Sequence, residues 1–183
     1  MDILHQIVKE EDLYQLKYYL NTGLDSNLVD DEENTPLHIC FSILKEKNSI
    51  VYDMIYTLLD YGANPMTKNK NGYVPIECCK YYDKLYNSFF ESCKNGNLVH
   101  IKYLLLCRIN IYSFSEKYKM SGINIAIRYK QNDILNLIQD FEKKSLNNEY
   151  ISLYSNCFHC PQWVKKNYIL GIEGQKMLFE DDE

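Results

Sequence analysis

Apolar positions along the chain recur at spacings of three and four between polar stretches, the spacing of one helical face. Ile3–Lys9 forms a short apolar run, followed by Asp12–Leu20 with apolar Leu13, Leu16 and Leu20 and a stop at Gly23. Asn34-Thr35-Pro36-Leu37-His38-Ile39-Cys40 predicts a helix start: Pro36 suits the first helical position, and Thr35 before it can cap the exposed amides. Tyr52–Tyr61 carries Ile55, Leu58 and Leu59 on one stripe and is stopped by Gly62-Ala63-Asn64-Pro65, with Gly62 free to turn left-handed after a helix.

The same order returns twice more. Leu85–Lys94 leads through Asn95-Gly96-Asn97 into Leu98–Cys107, whose apolar set is Leu98, Ile101, Leu104 and Leu105. Ser121-Gly122-Ile123-Asn124-Ile125-Ala126 opens a helix that gives way to Asp133–Phe141, with Ile134, Leu135 and Ile138 in register. The sequence therefore predicts an all-α chain of helix–turn–helix units. Such pairs cannot bury both faces alone and must stack on neighbours. Lys45-Glu46-Lys47-Asn48 adds residues to the second unit. In the third, Val74-Pro75-Ile76-Glu77 is a degraded helix start that lies far upstream of Asn95-Gly96. Either a first helix runs long with a break near Tyr82-Asp83, or a small fragment is inserted. After Lys144 the pattern stops, and 145–183 follows no repeat rule.

Composition supports helices. In 183 residues there are 7 Gly and 4 Pro, too few for a turn-rich β chain. The charge balance, 20 Lys+Arg against 25 Asp+Glu, offers no basic stripe and argues against nucleic acid as the main partner. No apolar run approaches a membrane span, and Met1-Asp2-Ile3-Leu4-His5 lacks the pattern of a signal peptide. With 7 cysteines, an odd number, free thiols in a reducing cytoplasmic or nuclear compartment are expected. The 17 tyrosines are the unusual feature.

Chemistry-bearing residues are sparse. His5, His38, His100 and His159 have no catalytic neighbours in sequence, and no nucleophile–base set emerges. Cys157-Phe158-His159-Cys160 is the sharpest motif. A C-x-x-C segment can hold zinc, but Cys157, His159 and Cys160 supply at most three of four ligands. The alternative is that Cys157, Phe158 and Trp163 cap the end of the stack. Cys40, Cys78, Cys79 and Cys93 read as buried small hydrophobes. Glu180-Asp181-Asp182-Glu183 is a short acidic run, most often simply solvated.

Thr35-Pro36-Leu37-His38 and Gly62-Ala63-Asn64-Pro65, with partial echoes at Leu4-His5, Asn71-Gly72, Asn95-Gly96-Asn97-Leu98 and Ser121–Ala126, resemble the ankyrin-repeat family. The resemblance implies an α-solenoid of about four degenerate units over 1–144 (1–29, 30–67, 68–111 and 112–144) and a cap or tail over 145–183. It also implies that His5 and His38, with Gly62 and Gly72, hold turns, and that a protein partner docks on the hairpin tips and the groove. On that register the tips carry Asp31, Glu32, Glu33 and Asn34, then Lys70, Asn71 and Tyr73. The groove row is Lys9, Glu10, Ser42, Tyr81, Tyr82, Lys94, Asn95, Arg128 and Tyr129. Tyrosine and arginine suit interface hot spots. The tyrosines divide on this reading into a packing set on second helices (Tyr18, Tyr19, Tyr56, Tyr61, Tyr103) and an exposed row.

The expectation is a non-enzymatic protein-binding module without cofactor. Degenerate units rich in Asn, Ile, Lys and Tyr are similar to those of poxviruses, other large DNA viruses and intracellular bacteria. That similarity implies a pathogen factor in the host cytoplasm that interferes with innate immune signalling. Tyr150–Glu183 does not match the F-box-like ending of many poxviral ankyrin proteins. Two other readings stand beside it: a metal-dependent or enzymatic module centred on Cys157-x-x-Cys160 with the repeats as targeting arm, and a scaffold subunit of a larger complex.

Overall fold

A computed structural model describes residues 3–45 and 49–146. Within them the chain is mostly helical: eight α-helices, one 3-10 turn and one two-stranded hairpin. The helices are α1 (Ile3–Lys9), α2 (Leu13–Asn21), α3 (Pro36–Ile43), α4 (Ser49–Asp60), α5 (Tyr82–Asn95), α6 (Leu98–Leu106), α7 (Gly122–Arg128) and α8 (Asn132–Leu146). Two compact units divide the described residues, the first running to Leu85 and taking in Leu106–Arg108, the second holding Tyr86–Leu105 and the described residues from Ile109 to Leu146.

The first unit is built of two stacked helix pairs. α1 packs on α2 and α3 on α4, while α1 also lies against α3 and α2 against α4. The apolar stripes meet in a core of Leu4, Val8, Leu16, Leu37, Phe41, Met54, Ile55 and Leu58, all essentially buried. Fully burying one such side chain contributes about 1.5–3 kcal/mol, which makes this packing the main drive for pairing. The helix ends follow local chemistry. Asp12 caps α2, accepting the Gln15 amide at 2.9 Å. Pro36 opens α3. Gly62, at φ +83°, ends α4 by letting its own amide reach Leu59 O and the Ala63 amide reach Leu58 O.

The open question at 74–97 resolves into a short 3-10 turn, Pro75–Cys78, packed against α3, then a separate helix α5. Val74-Pro75-Ile76-Glu77 therefore starts a helix that ends within one turn. Its Glu77 carboxylate accepts the Val74 amide at 2.9 Å, and Cys78 and Cys79 lie at and just past its end rather than on a long helix. Of the inserted Lys45–Asn48 segment, residues 46–48 lie outside the described residues.

In the second unit, Ser88 Oγ meets His100 Nε2 at 3.1 Å and ties α5 to α6. Before α7 comes the one strand pair among the described residues, absent from the sequence expectation. β1 (Phe114–Ser115) pairs antiparallel with β2 (Met120–Ser121), Phe114 opposite Ser121 and Ser115 opposite Met120. The loop between them closes through the Lys119 amide on Ser115 O at 2.7 Å. Ser121 then caps α7 by accepting the Asn124 amide. Gly122 is a close-approach position: a Cβ there would lie 2.6 Å from Phe89 Cζ and 3.2 Å from Ile111 O. Phe89 is fully buried and cannot swing away cheaply.

Gly122→Ala is accordingly expected to cost about 1–3 kcal/mol by overpacking. Equilibrium urea unfolding measures it, and an unchanged midpoint would count against the Phe89 contact.

Candidate functional site

The first unit contains a polar construction used twice. In turn 30–34, the Asp30 amide donates to Asn34 O at 3.0 Å. Its carboxylate accepts the amides of Glu32 at 3.0 Å and Asn34 at 2.8 Å. In turn 69–73, Asn69 does the same: its amide donates to Tyr73 O at 3.0 Å, and its side-chain oxygen accepts the Asn71 and Tyr73 amides at 3.1 and 3.0 Å. An Asx side chain that bonds its own downstream backbone is a local turn builder.

A histidine clamps each turn. His5 Nε2 donates to Asn34 O at 2.6 Å, and His38 Nε2 donates to Tyr73 O at 3.0 Å. Because a carbonyl can only accept, each ring carries its proton on Nε2 when neutral. In His38 the other nitrogen, Nδ1, accepts the Thr35 amide at 3.0 Å and faces the Thr35 hydroxyl at 2.8 Å. His38 therefore joins the start of α3 to the following turn. The turns are also joined to each other, by the Lys70 amide on Glu32 O at 3.1 Å and by Asn69 Nδ2 on Asn34 Oδ1 at 2.8 Å.

Behind the helix stops a second ladder runs in parallel. Ser26 Oγ donates to Tyr61 O, Asn27 Nδ2 to Gly62 O, and the Asn64 amide to Asn27 Oδ1 at 2.7 Å.

Electrostatics follow from these bonds. Burial works against ionised Asp30, but the Asn34 amide and side chain and the Glu32 amide hold its carboxyl below the ordinary value. Desolvation pushes the His38 imidazole below its ordinary value, only partly offset by the Tyr73 carbonyl. His100, buried on α6, is lowered to about 4 by desolvation. The thiols move the other way: burial raises Cys78 and Cys79, and raises Cys93 and Cys107 to about 12, so none is poised as a thiolate.

The residues expected to bind a partner fall into separate groups. Glu32, Glu33 and Lys70 are exposed at the joined turns, whereas Asn34 and Tyr73 are half-buried and spend their polar groups on the turn network. Glu33 sits left-handed at φ +58°, the place Gly72 fills in the next turn at φ +80°. Tyr81 is exposed with Lys84 Nζ 5.1 Å from its ring, and Tyr82 is half-buried. Lys94, Asn95, Arg128 and Tyr129 belong to the second unit. There Lys94 Nζ lies 5.6 Å from the Tyr118 ring and 5.5 Å from the Tyr129 ring, and Gln131 Nε2 donates to Lys94 O at 2.8 Å. Cys157, His159 and Cys160 lie outside the described residues.

The sequence reading missed several participants. Asp30 and Asn69 could be suspected as turn builders from residue type alone, but the amides they accept are set by the fold. Tyr118 and Lys117 were not legible, since nothing in Glu116-Lys117-Tyr118-Lys119 marks a hairpin loop. The division of tyrosines also shifts. Tyr103 is buried and Tyr19 and Tyr56 half-buried, but Tyr18 on α2 and Tyr61 just past α4 are exposed, as is Tyr14 at 82%.

Among the described residues no three His, Cys, Asp or Glu side chains group as a metal site, and no helix is long and apolar enough to cross a membrane. The chain matches no protein-family model and no curated protein.

Two outcomes follow. His38→Ala leaves the buried Thr35 amide without its acceptor and removes one of the two donors to Tyr73 O, with an expected loss of about 2–4 kcal/mol in urea unfolding. Second, the native state disfavours protonated His100, so between its ordinary pKa of 6.5 and about 4 the unfolded chain binds more protons. That contribution is present above pH 6.5 and declines as pH falls through this window, by about 3 kcal/mol at most. In unfolding measured across it, His100→Gln should flatten the slope relative to the parent chain.

Proposed function

We propose that this chain is an ankyrin-repeat protein, an α-solenoid whose work is to bind another protein without catalysis. The observation that carries the reading is the doubled, histidine-clamped turn. Two successive turns are built alike, each is fixed by a histidine of the first helix in the preceding pair, and they are bonded edge to edge through Lys70 and Glu32. A turn held this way presents Asp31, Glu32, Glu33, Lys70 and Asn71 to solvent in a fixed array. Preorganised side chains bind with less ordering cost than free loops.

Other features point the same way. α1 stacks on α3 and α2 on α4, as neighbouring units stack in a repeat array. His5 and His38 are committed to backbone bonds and His100 to the Ser88 hydroxyl, and burial raises the described thiols above their ordinary value. The degenerate, Asn-, Ile-, Lys- and Tyr-rich units support a setting in which the partner is a host protein of innate immune signalling.

The test is affinity capture from cultured-cell extract with the parent chain and with a Glu32→Lys/Lys70→Glu variant whose circular dichroism is unchanged. A protein retained saturably by the first and lost from the second is the expected result. Equal retention by both would remove the turns from the interface, and no saturable capture at all would sink the reading.

A further inference from the structure

The second unit carries a basic, tyrosine-lined surface with its own chemistry. Three stretches distant in sequence converge there: the end of α5, the hairpin loop between β1 and β2, and the segment leaving α7. Lys94 is the pivot, its ammonium near both the Tyr118 ring from the loop and the Tyr129 ring from the end of α7. An ammonium over an aromatic face is attracted to the ring and restricted in its motion. The loop is anchored to α5 as well: Lys117 Nζ pairs with Glu91 at 2.5 Å, and the Tyr118 hydroxyl donates to the same carboxylate at 2.6 Å.

Charge on this surface is lopsided. Glu91 and Glu116 are occupied by Lys117 and Lys119. No carboxylate among the described residues lies within ion-pair distance of Lys94, Arg128 or Lys130. Arg128 and Lys130 are exposed on either side of Tyr129. Two of these lysines also sit where a side chain is unfavourable: Lys119 at φ +55° and Lys130 at φ +56° are left-handed, a conformation costing about 1–2 kcal/mol for residues with a Cβ. The chain as a whole is acidic, at −5. A local excess of cations around two rings is therefore a departure from its general character.

We propose that this surface docks an acidic, carboxylate-rich peptide segment of a protein partner. Its carboxylates would meet Lys94, Arg128 and Lys130, and its backbone and apolar atoms would lie across Tyr118 and Tyr129. Charge complementarity selects the occupant. The held Lys94 ammonium offers its charge with little left to order. Tyrosine adds broad rigid contact that simple ion pairing lacks. This deepens the protein-binding reading by naming the partner's chemistry, and it rests on that reading.

The experiment is fluorescence anisotropy with the full chain and a fluorescein-labelled decapeptide of alternating Glu and Gly. The same peptide with Gln in place of Glu and a single-stranded oligonucleotide of equal charge are the comparisons. Saturable binding of the Glu peptide is expected, weakening steeply between about 10 mM and about 1 M salt as the Debye length falls from roughly 30 to 3 Å. The Gln peptide should bind about tenfold or more weakly, and Arg128→Gln/Lys130→Gln should weaken the Glu peptide about tenfold. Arg128→Lys should retain it, separating charge from folding.

Several results would overturn the proposal: equal binding of Glu and Gln peptides, no effect of Arg128→Gln/Lys130→Gln, or tighter binding of the oligonucleotide. So would a gain in peptide affinity when Glu180, Asp181, Asp182 and Glu183 are neutralised, since the chain's own acidic run would then be the occupant. If the Glu32→Lys/Lys70→Glu variant still loses a captured protein while the Glu peptide fails, only the acidic-peptide assignment falls.

Discussion

The first unit depends on one bond geometry, an imidazole Nε2–H aimed at the carbonyl that closes an Asx turn. Hydrophobic burial pairs the helices, but it is non-directional and would accept many placements of the chain between them. His38 removes that freedom. Its ring is buried at the start of α3, one nitrogen taking the Thr35 amide and the other reaching Tyr73 O. A half-satisfied buried network costs more than it gives, so the ring, the cap and the turn must form together. His5 repeats the reach to Asn34 O, but its buried Nδ1 has no hydrogen-bond partner among the described residues, so the turn bond recurs without the cap.

The second unit reaches order by other means. Its turns carry no described histidine clamp. Gly122 lets α7 approach Phe89, the strand pair reverses the chain, and aromatic rings with Lys94, Lys117 and Glu91 hold the loop. Exposed ion pairs contribute about 0–1 kcal/mol, so the loop rests on several weak contacts acting together. The joined turns of the first unit and the tyrosine–lysine surface of the second thus differ in kind: one is fixed backbone geometry, the other charge and aromatic area.

The helices were legible because their apolar spacing is a property of each helix alone. Thr35-Pro36-Leu37-His38 located the start of α3, and Gly62 the end of α4, within local rules. The 3-10 turn at Pro75–Cys78 was ambiguous because a proline start says nothing about how long the helix then runs. The hairpin at 114–121 escaped because two-residue strands carry no alternation to read, and its loop lacks glycine. Among candidate contact residues, exposure of Glu32, Lys70 and Tyr129 followed from register. The conversion of Asn34 and Tyr73 into turn structure did not, since their partners Asp30, Asn69 and His38 are chosen by the fold. Tyr14 and Tyr18 show the limit of spacing arguments, being apolar-looking positions left facing water.

Amide hydrogen exchange at Thr35 tests the central claim most directly. This amide lies at a helix N-terminus, where backbone donors have no intrahelical partner and would exchange quickly if only water satisfied them. With His38 Nδ1 as acceptor, its protection should match that of the core amide of Leu16, and His38→Ala should erase it while Leu16 keeps most of its own. Fast exchange at Thr35 in the parent chain, or equal protection in both chains, would contradict the histidine-clamped turn.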